Sequence, residues 1–214
     1  MYLIEKISNS FAKKIANELE YDNDKQEVIA YGTFALLQIA FSVALVVIFG
    51  LIFGVVIEAL ILTFTISILR KYAGGVHASS PTICIVVGTV ICIGFAALSK
   101  IALFSNFNIV LYITIITFIL SYIILYKLAP IASKSKPLSD AKKVRMKKGS
   151  IITLSIYMFI VAILFVLYFV LNIINLLNYI FCINIGILWQ VFTLTKVGDK
   201  VLGSLDKLLN ISKA

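Results

Sequence analysis

The sequence predicts an all-α polytopic membrane protein with six transmembrane helices and an interfacial amphipathic helix at each end. Hydrophobic residues make up 61% of the 214 residues, and the mean hydropathy is +1.06. A soluble domain is about 45–50% apolar. Apolar runs of about 20 residues, the length that crosses a bilayer, recur along the chain. The ten-residue alternating segments of a transmembrane β-barrel are absent.

The first 29 residues are predicted to lie at the membrane surface. Apolar residues recur there every three or four positions, at Ile4, Ile7, Phe11, Ile15 and Leu19. This spacing indicates an amphipathic helix, which either packs on the bundle or takes part in substrate binding. An acidic, solvated connection follows. The charged composition of the segment argues against a cleavable signal peptide.

The remaining chain is divided by its apolar runs. Residues 31–69 are about twice the length of one span and predict a hairpin of two helices that turns near Gly50–Gly54, with Glu58 at the interface. Four more spans are predicted at 82–104, 109–126, 151–171 and 179–195. As one membrane domain, the chain divides into segments 1–29, 31–69, 70–84, 85–128, 129–150, 151–195 and 196–214. The last of these is predicted to be a second interfacial helix.

Charge fixes the predicted orientation. The net charge is +9, and with six spans 18 of the 19 Lys and Arg residues fall on one side, leaving Lys100 on the other. The positive-inside rule places both termini, residues 70–81 and the basic loop 129–150 in the cytoplasm. Orientation and anionic headgroups account for this charge, so we do not expect a nucleic-acid partner.

The stretch between spans 2 and 3 carries the reactive groups, including the single histidine of the chain, His77. Gly74-Gly75 breaks the helical pattern. Ser80 is suited to cap a new helix, and Pro81 to its first position. Cys84 then falls in the first helical turn, where the helix dipole favours a thiolate.

His77 precedes Cys84 by seven residues, which on one unbroken helix is about 10 Å, too far for proton transfer. A Gly-Gly turn and a proline allow the loop to fold back. His77 can then take the proton of the thiol and later donate one to a leaving amine, as in a cysteine peptidase. The alternative is a headgroup-facing histidine and a packing cysteine. Cys92 and Cys182 are interpreted as packing residues, and the cysteines form neither a disulfide framework nor a metal site.

The pattern as a whole resembles the signature of the accessory gene regulator protein B family, the quorum-sensing endopeptidases of Gram-positive cytoplasmic membranes. The resemblance rests on the run Arg70-Lys71-Tyr72-Ala73-Gly74-Gly75-Val76-His77-Ala78 with Cys84 after it, on Leu128-Ala129-Pro130 and on Lys136-Pro137-Leu138. Chain length, six spans and the amphipathic N-terminal segment also agree with the family.

The resemblance implies that the protein removes the C-terminal tail of a small membrane-bound propeptide through an acyl-enzyme thioester. An internal cysteine or serine of the peptide then closes a thiolactone or lactone ring. It assigns Cys84 as nucleophile and His77 as general base and acid, with Arg70 and Gly75 as supporting residues. It also suggests a homodimer, and no cofactor or metal is expected. Candidates for a third catalytic residue are Ser79, Ser80 and Thr82.

Two alternatives remain open from the sequence. The resemblance implies an acidic propeptide tail, which the basic loop could bind through Lys142, Lys143, Lys147 and Lys148, but the same charges could fix topology by binding anionic lipid. The main rival function is a small transporter or peptide exporter. Such a protein would carry ionisable residues near mid-membrane, whereas the sequence offers Glu58 near a span end. A non-catalytic assembly protein is the other rival.

Overall fold

A computed structural model describes residues 3–75, 80–101, 106–131 and 139–211. These residues are helical apart from short turns and one isolated β-bridge, which confirms the all-α class. In chain order the helices are α1 Leu3–Glu18, α2 Asn23–Phe53, α3 Val56–Ala73, α4 Pro81–Leu98, α5 Phe107–Leu128, α6 Asp140–Leu171, α7 Asn175–Phe192 and α8 Lys196–Ile211.

The chain forms two compact units, residues 1–45 and 46–214. In the first unit, α1 has the predicted amphipathic character. Ile7 and Phe11, from its apolar stripe, are about half exposed, whereas Ala12 and Ala16 are buried. An exposed apolar stripe on a short charged helix is the form that lies in a membrane interface.

Helix α7 is the centre of the second unit. It packs against α3, α5 and α6 and touches α4. Apolar residues on most of its circumference, including Leu177, Ile180 and Ile187, are fully buried. Gly186 faces Thr65 so closely that a Cβ at the glycine would lie 3.0 Å from the threonine side chain. The absence of a side chain there allows α3 and α7 to approach each other.

Hydrogen bonds between helices fix the register of this bundle. Asn184 Nδ2 on α7 donates to Thr114 Oγ1 on α5 over 2.7 Å. The hydroxyl of Tyr157 on α6 donates to the carbonyl oxygen of Thr65 on α3 over 3.1 Å. Polar contacts between helices are favoured in an apolar surrounding because an unpaired polar group there is costly.

The outer surfaces of the described helices are largely apolar, which is expected for a membrane protein and unusual for a soluble one. Four helices are long and apolar enough to cross a membrane: α2, α5, α6 and α7. The six predicted spans are therefore not all recovered by length and composition. Helix α3 carries Glu58, Arg70 and Lys71, and the apolar part of α4, Thr82–Leu98, has 17 residues.

Two predicted boundaries require correction. The second half of the expected loop 129–150 is helical, because α6 begins at Asp140 and its first turns carry the basic residues. Similarly, part of the acidic connection before residue 30 belongs to α2, which begins at Asn23. There the backbone N–H of Lys25 donates to Asp22 Oδ1 over 2.9 Å, a contact that favours a helix start.

The hairpin between α2 and α3 turns at Gly54, which has a φ of 67°. Glu58, in the first turn of α3, is 4% exposed and pairs with Lys100, which follows α4, at 2.5 Å. The start of α3 and the end of α4 therefore lie together, at the opposite end of these helices from the 70–84 stretch.

Candidate active site

Cys84 lies where α4 begins, as the sequence predicts. Ser80 is the N-cap, with its Oγ accepting from the backbone N–H of Ile83 over 3.3 Å, and Pro81 occupies the first turn. The backbone N–H of Cys84 donates to the carbonyl oxygen of Ser80 over 3.1 Å. The thiol is therefore held one turn into the helix, and it is free and half-buried.

The preceding Gly-Gly pair ends α3 and is tightly enclosed. Gly74 has a φ of 72°, and the backbone N–H of Ile131 donates to the carbonyl oxygen of Ala73 over 3.0 Å. Gly75 is buried with a φ of 135°, and a Cβ there would lie 2.8 Å from Thr193 Oγ1. Both the backbone conformation and the lack of space require glycine at position 75.

Gln190 on α7 holds the same turn and was missed by the sequence analysis. Its side chain is fully buried, and Nε2 donates to the carbonyl oxygen of Gly74 over 2.7 Å. Its Oε1 is buried without a hydrogen-bond partner among the described residues. The sequence does contain a signal for this residue, which is an amide side chain within an apolar run. Buried polar groups usually have a specific hydrogen-bond partner.

Arg70 and Cys84 line one small cavity of about 60 Å³. The guanidinium is close enough for Coulombic attraction to the sulfur. Trp189 of α7 and Thr193, which follows that helix, also line this cavity, together with Asp206 of α8. The sequence analysis identified Arg70 and Cys84 but none of the residues from α7 and α8.

The other predicted site residues are distributed as follows. His77 and Ser79 lie outside the described residues, Ser80 serves as the N-cap, and Thr82 is exposed. Cys92 and Cys182 are buried in a separate apolar cluster that includes Val46, which is consistent with packing roles.

The four predicted substrate-binding lysines lie on the first turns of α6. Lys143 pairs with Asp140 at 3.0 Å, and Lys147 lies 4.5 Å from the centre of the Tyr126 ring. Lys142 and Lys148 are exposed. These first turns of α6 end close to the glycine turn, Gly74-Gly75. A Cβ at Gly149 would lie 2.5 Å from the ring of Tyr72 on α3, two residues before that turn.

Comparison with known proteins gives the family. The family model described as accessory gene regulator B matches residues 8–194. The chain belongs to the accessory gene regulator B family. Relatives named AgrB-like come from two strains of Clostridium perfringens, SM101 and 13. Each is 42% identical over 97% of this chain and 99% of its own length. A third, from Clostridium acetobutylicum, is 24% identical over 70% of each chain. No solved structure matches.

Membership of the accessory gene regulator B family carries coarse conclusions about function. It supports a role in the agr quorum-sensing system, where the family processes a propeptide. The apolar helices agree with a membrane location. The family match includes the glycine turn, Cys84 and Gln190, whereas α8 follows its last residue.

Proposed function

We propose that the chain is a cysteine endopeptidase that removes the C-terminal tail of a membrane-bound autoinducer propeptide and promotes its cyclisation. The observation that carries the proposal is the placement of Cys84 in the first turn of α4, lining a cavity with Arg70. His77 stands two residues after Gly75 and three before Ser80, both of which are held by the surrounding helices. This leaves a short loop to bring the imidazole to the sulfur.

In the first step His77 accepts the proton of Cys84, and the sulfur attacks the carbonyl carbon of the scissile peptide bond. Arg70 stabilises the negative charge on the sulfur. The carbon–nitrogen bond breaks, and His77 transfers its proton to the leaving amine of the tail. The products are the free tail and a thioester between Cys84 and the remaining peptide.

In the second step an internal cysteine or serine of the peptide attacks the thioester carbonyl. The bond to Cys84 breaks, the ring closes as a thiolactone or lactone, and the enzyme sulfur regains a proton. Exchange of one thioester for another is nearly neutral in free energy, whereas hydrolysis is strongly downhill. The site must therefore keep water away from the intermediate.

For topology we propose that α2 to α7 all cross the cytoplasmic membrane of a Gram-positive bacterium. Helix α3 has 18 residues and a length of about 27 Å, close to the thickness of a hydrocarbon core. The distribution of 18 of 19 Lys and Arg residues supports cytoplasmic termini and a cytoplasmic Cys84. Lipid covers the exposed apolar surface in this proposal, and the expected homodimer is retained as part of it.

Co-expression with a candidate autoinducer propeptide, which has an internal cysteine or serine and an acidic C-terminal tail, tests the proposal. Mass spectrometry should detect a shortened peptide with the unchanged chain and with Cys92→Ser, but not with Cys84→Ser or His77→Ala. Hydroxylamine should release the peptide from the Cys84 thioester. Transport of the propeptide into proteoliposomes without any cleavage would instead favour the exporter.

A further inference from the structure

We propose that α8 forms one wall of the Cys84 cavity and that its residues Leu202 and Leu205 determine whether the acyl-enzyme cyclises or is hydrolysed. This inference rests on the proposed peptidase function and assigns a role to a helix that follows the family match, which ends at residue 194.

Four segments meet at the cavity. Helix α8 contributes three of its lining residues. Among the residues that the structure describes, the lining includes Arg70 from α3, Cys84 from α4, Trp189 from α7, and Leu202, Leu205 and Asp206 from α8.

The three residues of α8 occupy one face of the helix. Their spacing of three and four residues places Leu202, Leu205 and Asp206 on the same side. Val197 and Val201 do not line the cavity and are 61% and 41% exposed, and Leu205 is 38% exposed although it lines the cavity. The helix therefore presents two apolar side chains and one carboxylate to the nucleophile. The carboxylate is opposite in charge to Arg70, which lines the same cavity.

The turn before α8 fixes where the helix begins. The backbone N–H of Gly198 donates to Thr195 Oγ1 over 3.1 Å, and that of Asp199 donates to the carbonyl oxygen of Thr195 over 3.0 Å. A Cβ at Gly198 would overlap the carbonyl oxygen of Phe192. The start of α8 is thus packed directly on the end of α7, whose Trp189 lines the same cavity.

The chemistry explains why such a wall matters. If water attacks the thioester, the bond to Cys84 breaks, the peptide leaves as a linear carboxylic acid and the sulfur regains its proton. If the thiol of the peptide attacks instead, the ring closes. A cavity of about 60 Å³ has room for water beside the sulfur, because about 10–15 Å³ is enough to hold one molecule. Leu202 and Leu205 offer such water no hydrogen-bond partner, so they restrict it to positions beside the polar groups of Arg70, Thr193 and Asp206.

The test measures products rather than total activity. The chain of 214 residues in lipid vesicles is given the same propeptide as in the co-expression test, and the linear and cyclic products, which differ by one water, are quantified. Leu202→Ser and Leu205→Ser should raise the ratio of linear to cyclic product about tenfold, equivalent to about 1.4 kcal/mol between the two barriers. Val197→Ser, at a more exposed position of α8 that does not line the cavity, should keep the original ratio.

Isotopically labelled water identifies the route, because label should enter the new carboxylate of the linear product. If the serine variants are not recovered folded, Leu202→Ala and Leu205→Ala make the same comparison with a smaller change. Normal tail removal with an unchanged ratio in the leucine variants would overturn the role of α8 alone. The absence of any tail removal by the unchanged chain would instead overturn the proposed peptidase function.

Discussion

The side-chain amide of Gln190 donates a hydrogen bond of 2.7 Å to the carbonyl oxygen of Gly74. The two residues are 116 positions apart, and the bond connects α7 to the turn that precedes His77. Gly75 packs against the same helix end, with Thr193 Oγ1 beside it. The position of the Gly74-Gly75 turn is therefore set by contacts with Gln190 and Thr193 as well as by its own sequence.

Replacing Gln190 with leucine should lower both stability and processing. The change leaves the Gly74 carbonyl without this donor, at a cost of about 1 kcal/mol, because the bond is only partly buried. The melting temperature in detergent and the rate of tail removal report the two effects. Gln26→Leu, at a partly exposed amide on α2, provides the control. Unchanged processing by Gln190→Leu would show that this bond does not position the loop.

Gly75→Ala should lower the rate of tail removal much more than Gly94→Ala does. A side chain at a φ of 135° costs about 1–3 kcal/mol in backbone strain, and its Cβ meets Thr193. The added variant Thr193→Ala should restore part of the activity by removing the contact but not the strain. Processing assays on the folded fraction provide the measurement.

Gly94→Ala is the matched control for this comparison. Gly94 is within α4, and a Cβ there would meet no atom within 4 Å. Alanine is favoured over glycine inside a helix by about 1 kcal/mol, so the melting temperature of Gly94→Ala should stay the same or rise. Equal losses of activity at positions 75 and 94 would contradict the assigned role of the glycine turn.

Iodoacetamide should alkylate Cys84 and spare the other two cysteines of the native protein. Cys84 is half-buried beside a cavity, whereas Cys92 is 5% and Cys182 0% exposed. Arg70→Gln should slow the alkylation about three- to tenfold, equivalent to about 1 kcal/mol of lost attraction for the thiolate. Arg70→Lys keeps the charge and should slow it less. Peptide mapping after timed labelling gives the rates, and fast labelling of Cys182 would contradict the packing.

Local signals in the sequence were sufficient to predict part of this site. Ser80 and Pro81 mark a helix start by side-chain capping and a fixed φ, both properties of neighbouring residues, and the structure confirms that start. Gly54 likewise marks the turn of the first hairpin. The contribution of Gln190 was not predictable, because a hydrogen bond across 116 residues depends on packing that helical periodicity does not encode.

At two boundaries, the starts of α2 and α6, charged residues were predicted to form solvated connections although the structure places them in helices. The lysines after residue 140 indicate a solvated loop by composition, yet Asp140 in the first turn favours a helix start through the helix dipole. The cavity wall from α8 was missed for a different reason. The apolar stripe of an amphipathic helix has the same spacing whether it meets lipid or protein, so Leu202 and Leu205 were assigned only to an interface.

Charge reversal on α6 should weaken capture of an acidic propeptide tail. Lys142 and Lys148 are exposed, whereas Lys143 and Lys147 already contact Asp140 and Tyr126. The double variant Lys142→Glu with Lys148→Glu should raise KM about tenfold at low salt and leave kcat nearly unchanged. The difference should shrink as salt screens the charges.

Lys6→Glu with Lys13→Glu, on the exposed face of α1, changes charge equally and controls for a general effect of net charge. Membrane topology is checked in parallel with single cysteines at Asn108 and Lys148, labelled by an impermeant maleimide in a cysteine-free background. An unchanged KM in the α6 variant would favour the alternative in which these lysines only anchor topology or anionic lipid.

Loss of Lys100 should destabilise the protein at the end of the bundle remote from Cys84. The Glu58 side chain is 5% exposed and pairs with Lys100 at 2.5 Å, so Lys100→Met leaves a buried carboxylate without this partner, at a cost of about 1–3 kcal/mol. Adding Glu58→Gln removes the stranded charge, and the double variant should regain part of the loss. A double-mutant cycle from thermal unfolding in detergent measures the coupling between the two side chains.

Tail removal per folded molecule should stay unchanged in all three variants, because neither residue lines the Cys84 cavity. Additive destabilisation in the cycle would show that the pair adds nothing to the packing of α3 on α4.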